Sequence, residues 1–244
     1  MRASVLLAVF MMFQCVNGRC ADPSALFPNL ARLDLKDARV RVWYPKAMAH
    51  ALTSPPAYLK EYDKAGVYAA EPLVLELGHG LPKLAIACDS GPSNDPSCRL
   101  LTNFEDPASG IFESAGNDFV FLPSAEIYVF GDTDQLYDHR RLFRFDGTRF
   151  KEVAQPFRYV GIEGKTKAPL ALTGVRGGGT NAALVTLARD TPITILLNVA
   201  GEDDENGQNA EYLVKTREGL VGWAHIPVQP DGTTIVEGFR FAGD

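Results

Sequence analysis

Bulky apolar side chains recur at every second position along much of this chain, the spacing that sets one side of a β-strand against a core. Arg39-Val40-Arg41-Val42-Trp43-Tyr44 alternates charge with bulk and is stopped by Pro45. Strand-like runs follow at Pro72 to Leu77, Leu84 to Cys88, Phe119 to Leu122, Ile127 to Phe130, Arg141 to Phe145, Arg149 to Val153 and Phe157 to Val160. Turns with Gly, Asp or Pro separate them, as in an antiparallel meander. In the clearest hairpin, Arg141 to Val153, Asp146-Gly147 supplies the turn and alternating Leu, Phe and Val supply a buried face. Helical character is confined to Lys46 to Leu52 and to Ala57 to Lys64, the latter between Pro55-Pro56 and Ala65-Gly66. Asp22 to Leu35, with Pro23 and Pro28, reads as a loosely ordered lead-in, and Gly161 to Lys167 as a linker.

The pattern therefore predicts a mostly β chain. An antiparallel meander, barrel-like or sandwich, with one or two short helices is expected over 22–163, a smaller β unit over 168–230, and a tail or last strand over 231–244.

The first residues break this rhythm. Arg2 is followed by an uninterrupted apolar run, Val5 to Phe13, which has the length of a signal-peptide core and is too short to span a bilayer. It has no amphipathic period, which argues against a buried helix. Residues 1–21 are thus expected to be a signal peptide cut between Gly18 and Ala21, and Arg19 before Cys20 speaks against a lipoprotein. The mature chain would be periplasmic or extracellular, and no later apolar run is long enough for a membrane span.

Export changes the reading of the cysteines. Loss of Cys15 and Cys20 with the leader leaves Cys88 and Cys98, separated by a run of turn-forming residues. In an oxidising compartment this pair is expected to form a local disulfide. The rival is a metal site, for which His79 is the nearby candidate ligand.

Composition places the chain among globular proteins: 244 residues, 46% hydrophobic and 22% charged, with a formal charge of -6. No basic stripe is present, which argues against nucleic acid as a partner.

The C-terminal part carries a pattern that resembles a known family. Pro169-Leu170-Ala171-Leu172 leads into Gly174-Val175-Arg176-Gly177-Gly178-Gly179-Thr180. Leu187, then Thr191-Pro192-Ile193, starts a strand; Tyr212-Leu213-Val214-Lys215-Thr216 forms the next; Gly219 makes a turn and Gly222-Trp223 closes the pattern. From about Leu170 to Pro227 this resembles a bacterial Src-homology-3-like (SH3-like) domain, with Leu187, Thr191, Ile193, Val214, Gly219, Gly222 and Trp223 at the family's core and turn positions. The chain departs from that family at Asp190, where it usually has Gly, at Glu211 or Tyr212, where it often has Trp, and in a longer acidic insert from Gly201 to Ala210. The resemblance implies a small β-barrel whose cleft beside the first loop binds short peptides, often those of the cell wall. Arg176, Tyr212, Trp223 and His225 are the candidate ligand-binding residues. On the residues alone, Thr216 to Gly219 fits a type I turn with Gly left-handed, so that Val214 and Trp223 pack across the barrel, and Gly222 admits a neighbouring backbone.

Catalytic chemistry finds no anchor in the chain. His50, His79, His139 and His225 lack ligand spacing, and there is no Gly-x-Ser-x-Gly. No cofactor is implied. Asp132-Thr133-Asp134 after the strand at Ile127 imitates an aspartate-nucleophile phosphatase, but the surrounding hairpins lack its crossover helices. Asp132, Asp134 and Asp138 could instead hold calcium, against the plainer reading of a solvated turn. Gly177 to Thr180 lacks the Lys-Ser/Thr ending of a phosphate loop. The expectation is an exported, non-catalytic binding protein with peptidoglycan peptide or another envelope protein as partner. The alternatives are an inhibitor or immunity protein that plugs a secreted enzyme with its Glu202-Asp203-Asp204-Glu205 loop, or a hydrolase with its site in the N-terminal part.

Overall fold

The computed structural model describes residues 27–35, 40–51, 73–89, 95–103, 106, 108–131, 136–178, 182–199, 211–229 and 232–239. The expected leader and its cleavage site, the Ala57 to Lys64 helix, Asp132, Asp134 and the Glu202 to Glu205 loop lie outside the described residues.

The described chain is mostly β and forms three sheets. The first contains β1 (Leu30–Leu35), β2 (Val40–Pro45), β8 (Asp118–Leu122), β9 (Glu126–Gly131), β10 (His139–Phe145) and β11 (Phe150–Glu152), in that order. Between β2 and β8 the chain builds the whole second sheet: β3 (Ala49–Ala51), β4 (Leu73–Leu75), β5 (Leu84–Asp89), β6 (Ser97–Leu101) and β7 (Gly110–Ala115). It then returns alongside β2 in parallel, pairing Val42 with Phe119. A meander predicts only antiparallel neighbours. The parallel joint is possible because the intervening sheet supplies the long crossover that such a pair requires.

These two sheets bury one core between them, with Val40, Val42, Phe119, Ile127 and Val129 from the first and Leu75, Leu84, Ile86 and Leu100 from the second. Phe112 of β7 ties them together. Its ring meets Phe119, Phe143 and Phe150 edge-on at centroid distances of 6.3, 5.1 and 6.0 Å, contacts that contribute on the order of 1 kcal/mol each beyond burial. On the opposite face of β2, Arg41 pairs with the buried Asp118, which also accepts from Trp43 Nε1 at 3.2 Å.

Several local expectations change. Leu30–Leu35 is a strand, not a loose lead-in, because all six of its residues pair with β2. Lys46–Met48 makes one 3-10 turn and the chain then goes straight into β3, so Lys46 to Ala51 do not form the expected helix, and Leu52 lies outside the described residues. The Asp146-Gly147 hairpin forms, with Phe145 opposite Phe150 and the Asp146 carboxylate accepting from the backbone of Thr148 and Arg149.

The third sheet runs β12 (Phe157–Lys165), β15 (Pro192–Val199), β16 (Glu211–Thr216), β17 (Val221–His225), β13 (Leu170–Thr173), β14 (Ala183–Leu187), with every pair antiparallel. Gly161 to Lys165, expected as linker, is the second half of β12 and pairs with β15 after a bulge. This sheet curls around a second core of Val160, Leu170, Leu172, Ile193, Ile195, Tyr212, Val214 and Ala224, which also takes in Leu136 and Tyr137 from the approach to β10. The segment 232–239 lies against the end of β12 through isolated bridges rather than as a full strand: Lys167 donates to Ile235 O at 2.7 Å and Glu237 to Lys165 O at 2.8 Å.

Candidate functional site on the outer face of the third sheet

Alternation along β16 and β17 decides which side chains face the core and which face outward. Tyr212, Val214 and Thr216 are buried, as are Gly222 and Ala224; Leu213, Lys215, Val221, Trp223 and His225 take the other face. The turn between the strands sets this phase. Gly219 donates to Thr216 O at 3.0 Å with φ +94, and Thr216 donates to Leu220 O at 2.8 Å. Gly222 is held inward because a Cβ there would already touch Leu172 Cβ at 3.0 Å and Thr173 O at 3.1 Å.

On the outer face, ladder partners line up across four strands: Tyr159 opposite Leu197, Leu197 opposite Leu213, and Leu213 opposite Trp223. Phe157 extends this line, its ring centroid 6.4 Å from that of Trp223. Phe157 remains 44% exposed and Tyr159 39%, and Leu220 and Val221 continue the exposed apolar surface at the turn. Polar and charged groups border it. His225 Nδ1 lies 3.4 Å from Glu211 Oε1, its ladder partner, and the Arg140 guanidinium lies 4.9 Å over the Tyr159 ring.

The four residues expected to bind ligand fall in three places. Trp223 and His225 lie together on this outer face, as period two required. Trp223 does not pack against Val214: the ladder partner of Val214 is Gly222, and Trp223 belongs to the opposite face. Tyr212 is a correction. It is 1% exposed, with its ring 5.0 Å from Phe239 and 6.4 Å from Tyr137, so it belongs to the core. Arg176 is exposed on the turn after β13, three residues beyond Thr173, the ladder partner of Trp223.

The remaining candidates are dispersed. Cys88 and Cys98 are ladder partners on β5 and β6 and are joined as a disulfide, which removes both thiolates from the metal alternative. His79 sits in an exposed turn, and Asp138 lies 3.5 Å from Arg140 Nε. Among the described residues, no three of His, Cys, Asp and Glu are grouped to hold a metal ion, and no helix is long and apolar enough to cross a membrane. Phe157, Tyr159, Leu197 and Leu213 were not singled out from sequence. Their signal was the alternation of Phe157 and Tyr159 with Arg158 and Val160.

Compared with known proteins, the chain matches no family model, no curated protein and no solved structure.

Proposed function

We propose that this is an exported, non-catalytic binding protein whose C-terminal β unit is an SH3-like reader of cell-wall peptide. The observation that carries the reading is the outer-face line Phe157, Tyr159, Leu197, Leu213 and Trp223, in which Phe157 and Tyr159 are exposed and Leu197, Leu213 and Trp223 are half-buried. A contiguous apolar strip with charged borders is what a binding surface leaves on a monomer, because solvent exposure of several large side chains side by side is otherwise selected against. Flat aromatic rings suit the plane of a peptide bond, and Glu211, His225 and Arg176 stand where a peptide's own charges could be met.

Two further features favour the SH3-like assignment. Three strands, β15, β16 and β17, follow one another as antiparallel neighbours. Asp190, where the family has Gly, adopts φ +64, a left-handed conformation that Asp tolerates better than most residues. The Cys88–Cys98 disulfide supports residence in an oxidising compartment.

The test is co-sedimentation of the full chain with purified cell-wall sacculi. The expected result is saturable retention that falls at least about tenfold in Trp223→Ala and Phe157→Ala, each melting within a few degrees of the wild type. Absence of retention, or retention untouched by both substitutions, removes the wall-peptide reading.

A further inference from the structure

β10 changes character along its length. The face that buries Phe143 in the first core carries His139 and Arg141 at the other end; His139 is buried against Tyr137 beside the third sheet, and Arg141, whose Nη2 reaches back to Ala115 of β7, and Arg158 of β12 are near enough to oppose its proton. Across from His139 is the inner face of that sheet, on which Arg158, Asn198, Tyr212 and Ala224 are successive ladder partners. Tyr137 bridges the two sides, with ring centroids 4.4 Å from His139 and 6.4 Å from Tyr212.

Asn198 is 0% exposed and His139 5%. Neither Oδ1 nor Nδ2 of Asn198 has a hydrogen-bond partner, and the same holds for His139 Nε2 and for Arg141 Nε. Leaving one buried polar group unsatisfied costs about 1–3 kcal/mol. Four such atoms on three neighbouring elements call for partners beyond the protein's own groups, from water or from a ligand.

The charge in this seam between β10 and the third sheet indicates which. Burial opposes a proton on His139, and Arg158 and Arg141 oppose it further, so the imidazole is held neutral with its pKa down to about 3. Arg141 is itself desolvated; its Nη2 donates to the Ala115 carbonyl, and Glu152 is an acid that favours its charge. Asn198 Nδ2 and Arg141 Nε are donors, and His139 Nε2 becomes one in the Nε2–H tautomer; Asn198 Oδ1 is the single acceptor of the set. Water could satisfy some of these atoms but brings no charge. An oxygen anion would accept from these donors at once, in charge-assisted hydrogen bonds that water does not provide.

We infer that this seam is a binding site for a small oxyanion, a carboxylate or phosphate group held between Arg141, Arg158, His139 and Asn198. It lies on the opposite face of the sheet from the exposed aromatic line and does not depend on the function proposed for that line. The same chemistry is offered by a free inorganic anion and by the carboxylate of an acylated amino acid. In the second case the amide N–H beside the carboxylate would reach Asn198 Oδ1.

The test is a titration of the 15N-labelled full chain with sodium phosphate, sodium acetate or N-acetylalanine at constant ionic strength, following the His139 imidazole and Asn198 side-chain amide signals. At least one anion is expected to shift both signals saturably while the Trp223 indole signal stays in place, and the responding anion identifies the source. Arg158→Gln should weaken half-saturation about tenfold, the loss of one charge-assisted hydrogen bond. Asn198→Asp places a carboxylate in the seam from the protein itself, so it should abolish the response and melt no lower than the wild type. If Asn198 were merely a core residue, the buried carboxylate would lower the melting temperature instead. No saturable shift with any of the three anions, or a response unchanged in Arg158→Gln, overturns the site. The wild-type titration decides the matter even if both variants fail to fold.

Discussion

Breaking the Cys88–Cys98 link should cost this protein a large part of its stability. The two half-cystines are ladder partners with Cα atoms 4.1 Å apart and a sequence separation of 10. Closing a loop of that length in the unfolded chain stabilises the folded state by about 3 kcal/mol in the chain-entropy model. Both residues are also buried in the first core with Ile86 and Leu100, so reduction leaves two thiols in place of one compact bridge. At about 2–4 °C per kcal/mol for a chain of this size, melting should fall by about 10 °C. The assay is thermal denaturation followed by circular dichroism, with and without a phosphine reductant, on the wild type and on the Cys88→Ala/Cys98→Ala double variant. The reductant should lower the wild-type transition to near that of the double variant and leave the double variant unmoved. A wild-type melting temperature indifferent to reductant, or two free thiols in a non-reducing peptide map, would refute the reasoning.

Two further outcomes follow from buried groups. Because the folded pKa of His139 is depressed to about 3 from an ordinary value near 6.5, the unfolded chain takes up its proton first as pH falls. Stability from this residue is therefore intact above pH ~6.5 and declines by about 1.4 kcal/mol per unit between there and pH ~3; urea unfolding at several pH values should show this slope reduced in His139→Gln, and equal slopes would count against it. Gly164→Ala should lower stability by about 1–3 kcal/mol, since the added Cβ would fall 2.0 Å from Glu237 O; an unchanged melting curve would mean that segment 232–239 does not lie against β12.

What the sequence made legible was local. Val40 to Tyr44, Ile127 to Phe130 and the Asp146-Gly147 hairpin each carry their own alternation or turn chemistry, and each forms as read. The parallel pairing of β2 with β8 joins residues 77 apart, Arg41 and Asp118, and no local pattern encodes it. β1 was hidden by the prolines before it, and β7 by Gly110, Glu113 and Ser114, which dilute its apolar signal even though Phe112 is central to the core. In Tyr212-Leu213-Val214 all three side chains are apolar, so period two alone could not say which faced inward. The contact of Gly222 with Leu172 and Thr173 settles the phase, and that contact exists only in three dimensions. Period two within one strand did place Trp223 and His225 on one face, whereas their neighbours Leu197, Tyr159 and Phe157, on other strands, could not be assembled beside them. Asn198 and His139 were invisible as a pair: each is a single polar residue in or beside an apolar run, and only the packing of two sheets brings them into one seam.

The two tryptophans offer the most direct measurement of the central claim. Trp43 is buried beneath the Arg41 and Asp118 pair, whereas Trp223 stands on the outer face of the third sheet. In a Trp43→Phe background, fluorescence reports Trp223 alone, and titration with soluble peptides released from cell wall should shift its emission saturably to shorter wavelength. The shift should disappear when Phe157 is also replaced by Ala. Emission that stays constant up to millimolar peptide would contradict the assignment of this face as the binding surface.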